Sequence, residues 1–274
     1  METRPGRPRH ERRGEHAGLT DDDRLMLAFA AEQRFVLGAQ LAALTGVDEA
    51  IVDGRLRALT AAGYLREARR PAERPAARQV TPAGLRAIGS DLRAPPRVAL
   101  GTFDHELAAG WLMLAARRGR FGPAAAVVGE RRMRSHDARL RGQPAGRAER
   151  FGVRIDGFAP GGGDRLHYPD MVMLTRSGHR VAFELELSHK SRGRREAILA
   201  AYASDPRIDS IVYLVGNRST GAAIERAAAR FGMSEIVHVQ LARLGPEQPA
   251  ASRAPGAARR HSAARAPADA GVAL

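Results

Sequence analysis

The sequence predicts an α+β protein: a small helical unit closed by a hairpin, then an α/β sandwich around a mixed sheet. Three observations carry this. Short amphipathic segments with helix caps fill the N-terminal part, and an arginine-rich hairpin pattern follows them. Beyond Pro95-Pro96, a break in the pattern, the order becomes helix, strands, helix, strand, helix, strand.

The first element starts at Thr20, an N-cap, followed by Asp21, Asp22 and Asp23 on the positive end of the helix dipole. Leu25, Met26 and Phe29 supply its apolar face. A second helix over 39–44 stops at Thr45-Gly46. A third runs over 48–62, with Val52, Leu56 and Leu59 on one stripe and Arg57 pointing away from it; Arg55 lies at the flank. Gly63 ends that helix. Tyr64-Leu65 begins an extended segment, residues 66–78 form a loop holding five arginines, Val80 returns as a short strand, and Thr81-Pro82 starts a helix through Ile88. Three helices and a basic hairpin make the pattern of a winged helix-turn-helix. In that arrangement the third helix enters the major groove. Arg55 and Arg57, with Arg69, Arg70, Arg74 and Arg78 of the hairpin, meet bases and phosphates.

Beyond Pro96, Phe103, Leu107, Trp111 and Leu114 share one helix face, with Trp111 expected in the core. Residues 124–133 read as a strand and 135–150 as a polar, basic loop. Strands are expected over 166–174 and 179–187, with Ser177-Gly178 at their turn. A helix (192–203), a strand (210–215), a helix (221–231) and a strand (235–241) complete the sandwich. Ile211, Val212, Leu214 and Val215 form the apolar run of a strand buried on both faces. The resulting organisation is a disordered basic arm (1–18), a winged helix-turn-helix (19–94), the sandwich (97–244) and an Ala/Pro/Arg tail (245–274) expected to be disordered.

Composition narrows the function. The 274 residues carry 44 basic and 30 acidic side chains, a formal net charge of +14, which favours a polyanionic partner, double-stranded DNA ahead of a membrane. The chain has no cysteine, so disulfides, thiolate metal sites and cysteine nucleophiles are excluded, and a cytoplasmic location suits it. No apolar run approaches the roughly 18 residues of a membrane span. All but one of the basic residues are arginine; the exception is Lys190.

The residues most suggestive of chemistry lie on the predicted hairpin. Glu184 and Glu186 share one strand face with Ala182 and Ser188, while Val181, Phe183, Leu185 and Leu187 share the other. Pro169-Asp170 opens the preceding strand and places Asp170 to approach Glu184. Three such carboxylates need arginine, proton or metal to neutralise them, and an all-oxygen set suits Mg²⁺. The alternative is a sheet with one wet face, its glutamates paired to nearby arginines. His167 and His179 read as polar strand or turn residues, and Arg192, Arg194 and Arg195 as a solvated helix start.

Pro169-Asp170 followed by Glu184-Leu185-Glu186 resembles the PD-(D/E)xK, restriction-endonuclease-like fold. Together with Val52-Asp53-Gly54-Arg55-Leu56-Arg57-Ala58-Leu59, Ala62-Gly63-Tyr64-Leu65, Gln79-Val80-Thr81-Pro82-Ala83-Gly84 and Asp104-His105-Glu106-Leu107, it is similar to the replication-relaxation family of plasmids and mobile elements. The resemblance spans roughly residues 20–241. It implies that Asp170 and Glu184 hold Mg²⁺, with Glu130 as a further ligand. It also implies a lysine two positions after the glutamate, to orient water and stabilise charge. That position is Glu186 here, a carboxylate that cannot supply the positive charge. Lys190 would fold back to replace it, or Arg194 in part. Two functions follow: a DNA-binding accessory or regulatory protein of replication, relaxation or mobilisation with a silent nuclease-like domain, or an active Mg²⁺-dependent endonuclease. A relaxase or replication protein is the implied protein partner, and a homodimer would suit paired half-sites.

Overall fold

The computed structural model describes residues 18–140, 150–155, 165–187, 192–243 and 272–273. The chain folds as a mixed α+β protein, with eight α-helices and an open mixed sheet among those residues.

Helix α1 (Asp21–Glu32) begins in a capping box: Asp23 N donates to Thr20 Oγ1 at 3.1 Å, and Thr20 N to Asp23 Oδ2 at 2.9 Å. It buries Met26, Leu27, Phe29 and Ala30, whereas Leu25, expected on that face, is exposed. Strand β1 (Val36–Leu37) leads into α2 (Gly38–Thr45), which ends at Gly46 with φ of 73°. Helix α3 (Glu49–Ala61) is capped by Asp48 and buries the predicted stripe Val52, Leu56 and Leu59. Strands β2 (Leu65–Glu67) and β3 (Ala77–Val80) make an antiparallel hairpin, and β1 joins it in the order β1-β3-β2. Thr81 caps α4 (Pro82–Ala87).

Helix α5 (Phe103–Arg117) follows, then β4 (Ala124–Gly129) and α6 (Glu130–Arg139). The sequence reading of 124–133 as one strand and of the next residues as loop is therefore corrected: the strand stops at Gly129 and a helix takes over. A short pair, β5 (Val153–Ile155) and β6 (Arg165–His167), precedes β7 (Met171–Thr175) and β8 (Arg180–Glu186). Then come α7 (Arg192–Ala203), β9 (Ser210–Val215), α8 (Arg218–Arg230) and β10 (Val237–Arg243). The main sheet runs β4-β7-β8-β9-β10. Strand β7 is antiparallel to both neighbours, and β8, β9 and β10 are mutually parallel. Two residues of the predicted tail, β11 (Val272–Ala273), lie parallel to the end of β10; the rest of that tail and residues 1–17 of the arm lie outside the described residues.

Both faces of the sheet are covered. Phe183 and Leu185 face α5, in an apolar cluster that continues without a break through Trp111 and Leu112 to Leu41, Leu56 and Phe29. Ala182, Ile211, Tyr213 and Val215 face α7 and α8, packing on Ile198, Leu199, Tyr202 and Ile224. Gly110 of α5 permits the close approach of α2, because a Cβ there would meet Gln40 Nε2 at 2.3 Å. Gln40 accepts from Leu37 N at 3.1 Å and donates to Leu107 O at 3.1 Å, stitching α2 to α5. Pro95-Pro96 is also docked: Arg66 donates to Pro95 O at 3.1 Å and Gln79 Nε2 to Pro96 O at 2.8 Å.

Candidate functional site

Asp170 sits one residue before β7, beyond the Met171–Phe183 pair of the β7/β8 ladder. Its N–H donates to Phe183 O at 3.0 Å, and its Oδ2 accepts from Leu185 N at 2.7 Å. The expected approach of Asp170 to the Glu184 strand is therefore present in the backbone. Oδ1 lies 2.9 Å from His105 Nε2 on α5, with the Asp170 side chain 13% and that of His105 35% exposed.

Glu184 lives in different surroundings. One of its oxygens, Oε1, is 2.6 Å from His167 Nε2 and accepts from the Tyr202 hydroxyl. Glu184 and Glu186 are each 2% exposed, which corrects the wet-face reading. The face predicted by strand alternation is the right one, but α7 and α8 cover it. Tyr213 pairs with Glu184 across the β8/β9 ladder, and its buried hydroxyl has no hydrogen-bond partner among the described residues. Burial, then the negative potential of Glu184, pushes both tyrosines well above their ordinary pKa. At Tyr213 the Glu186 charge adds to this and Arg195 opposes it. Arg195 is buried, so its solvated reading is corrected too. Arg195, Ile198, Leu199 and Tyr202 recur at helical spacing on the covered face of α7. By contrast, Arg192 is exposed and pairs with Glu196 at 2.8 Å, as a solvated helix start should; Arg194 is exposed as well.

Both carboxylates, of Asp170 and Glu184, are already engaged within the protein. Asp170 accepts from His105 and a backbone amide, Glu184 from an imidazole and a phenol. Among the described residues no three acidic or imidazole side chains converge on a common point. Lys190 and Ser188 lie outside the described residues. Glu130 opens α6 rather than lying in a strand. Its carboxylate is engaged by Arg134 at 2.6 Å and Arg34 at 3.5 Å, while its N–H donates to Asp170 O at 3.2 Å.

The Asp170–His105 contact borders an ion network. Glu106, next to His105 on α5, meets Arg34 at 2.8 Å, and Arg34 belongs to the turn between α1 and β1. Burial raises the Glu106 pKa to about 7. Arg34 and His105 oppose that rise, and the negative charges of Glu130 and Asp170 add to it. Burial, reinforced by Arg34, lowers Arg131 to about 10; its guanidinium donates to Ala31 O at 3.1 Å and Arg93 O at 2.7 Å.

No protein-family model matches this chain, and no curated protein matches it.

The arginines singled out for DNA are placed unequally. Arg55 is tied to Asp23: its Nε donates at 3.0 Å and a terminal nitrogen to the second oxygen, while Asp23 is fully buried. This guanidinium bridges α3 to α1, and its side chain remains 43% exposed. Arg57 projects from the exposed face of α3, and Arg69 is exposed on the hairpin loop. Arg70 folds back to donate to Pro71 O, Ala72 O and Arg74 O at 3.3, 3.0 and 2.6 Å. Arg74 pairs with Asp104 of α5 at 2.6 Å, and Arg78 with Glu67 at 3.7 Å. Sequence reasoning overlooked Tyr202 and Tyr213, quoted His105 only within a landmark stretch, took Arg195 as a solvated helix start, and took His167 as a polar strand or turn residue. A detectable signal did exist for Arg195, a charged residue in register with the apolar stripe of α7.

Proposed function

We propose that this protein is a double-stranded-DNA-binding accessory or regulatory protein of plasmid or mobile-element replication, relaxation or mobilisation, with a catalytically silent nuclease-like domain. The observation that carries the reading is the order α1-β1-α2-α3-β2-β3, that of a winged helix-turn-helix. Arg57 is exposed on its third helix and Arg69 on its hairpin, in a chain of net charge +14. The strand order β4-β7-β8-β9-β10, with β7 alone reversed, supports the restriction-endonuclease-like assignment of the second part. Silence is supported by the burial of Glu184 and Glu186 beneath α7, where a phosphodiester has no access. A relaxase or replication protein is the partner proposed on family resemblance, and a homodimer the proposed assembly.

Affinity for labelled duplex should fall steeply with salt. Arg57→Ala should weaken it without changing the melting temperature; unchanged affinity would remove α3 from the interface. The second reading, a Mg²⁺-dependent endonuclease, is favoured by the docking of the partly exposed Asp170 onto β8 beside Glu184. Nicking of supercoiled plasmid with Mg²⁺ or Mn²⁺, abolished by both Asp170→Ala and Glu184→Ala, would establish it over the silent domain.

A further inference from the structure

A cleft of about 510 Å³ opens between the β2–β3 hairpin and the segment after Pro96, lined by Arg66, Glu67, Arg69, Gln79 and Arg97. Its walls are fixed by the fold. Arg66 and Gln79 are cross-strand partners in the hairpin, and each holds one carbonyl of the Pro95-Pro96 strap. Gln79 is buried and also donates to Arg34 O at 2.8 Å, so the strap is tied to the turn after α1 as well. Arg97, the next residue along, is exposed beside this anchor. Among the described residues neither Arg97 nor Arg69 makes a hydrogen bond or ion pair within the protein. Glu67 is the one acidic group of the lining; its side chain is 79% exposed and leans toward Arg78.

Guanidinium groups held around one concavity repel one another unless an anion enters. Arginine donates in a planar fork that matches the oxygens of a phosphate. The lining has no aromatic ring, so a base has nothing to stack on, and the cleft suits the sugar–phosphate backbone rather than a base. We infer that the cleft seats a phosphodiester group of bound duplex DNA, with Arg66, Arg69 and Arg97 as its donors. This inference rests on the duplex-binding reading. It extends the contact surface from the hairpin onto the strap, where neither Arg66 nor Arg97 was expected to act.

The test measures affinity for a labelled duplex across a salt series, with full-length protein. Arg97→Ala and Arg69→Ala are the informative variants, because removing Arg66 would also release Pro95. Each should make the plot of log affinity against log salt shallower, by at most about 0.9, the counterion release of the single phosphate that the three arginines share. Arg97→Lys should restore the slope. Arg226→Ala, exposed on α8, should leave it unchanged, and melting curves check that each variant folds. If the native protein binds and Arg97→Ala keeps its slope, or Arg226→Ala lowers it equally, the cleft is not a phosphate seat and the duplex-binding reading stands. If the native protein binds no duplex, both fall together.

Discussion

Arg55 shows how a basic residue on the proposed reading helix can hold a buried partner. Burial alone would raise the Asp23 pKa; the Arg55 and Thr20 hydrogen bonds outweigh it and hold the carboxyl below its ordinary value. Arg55→Ala should cost roughly 1–3 kcal/mol, the scale for leaving a buried acceptor short of its donor. Urea unfolding measures this. A joint Arg55/Arg57 replacement would confuse folding with DNA affinity, whereas Arg57→Ala alone keeps them apart. Glu106 gives a second residue-scale prediction, of opposite pH sign. Its folded pKa of about 7 lies above the ordinary 4.5. As pH rises through that interval the unfolded chain releases its proton first, so the native state loses stability, up to about 3 kcal/mol by pH 8. Glu106→Gln should abolish that loss, seen by comparing urea midpoints at pH 4.5 and pH 8 against the native protein. Equal declines in both proteins would show that Glu106 is not the titrating group.

At the level of elements, the α2–α5 contact depends on the missing side chain of Gly110. Gly110→Ala should destabilise the protein by about 1–3 kcal/mol through overpacking against Gln40. Adding Gln40→Ala should recover less than all of this, because Leu37 N and Leu107 O then lose their partner. Thermal denaturation of the two variants decides it. Elements with strong local signals were legible in the sequence: the Thr20 cap, the Thr81-Pro82 helix start, the Gly46 and Gly63 stops, and the stripe of α3. Helix α6 was not, because Glu130–Arg139 buries only Met133 and Asp137 and so lacks an apolar period. Contacts from elsewhere hold it: Arg132 reaches Asp91 at 3.0 Å, Arg139 also pairs with Asp91, and Asp137 accepts the N–H groups of Phe151 and Gly152. Strand β1 is two residues long and carries no alternation to read. In the candidate site, the shared face of Glu184 and Glu186 followed from strand period alone. Its depth did not, because Tyr202, His167 and Tyr213 reach it from three separate segments, and linear spacing does not encode that meeting.

For the molecule as a whole, the two parts inferred from the Pro95-Pro96 break share one apolar cluster. Leu41 of α2 and Leu112 of α5 are fully buried within it, and side chains of this kind each contribute about 2 kcal/mol. Calorimetry should therefore record one cooperative unfolding transition for the chain. Two resolved transitions would mean that the shared cluster is too weak to couple the parts. The pinned strap has a further consequence. With Arg66 and Gln79 gripping consecutive prolines, the linker is a weld and not a hinge. On the proposed duplex-binding reading, a protein so joined would settle on DNA with one heading, and its α7–α8 side, across the sheet from α5, would keep a constant bearing. Any machinery recruited there would meet the complex as it would meet a signpost, already oriented along the DNA.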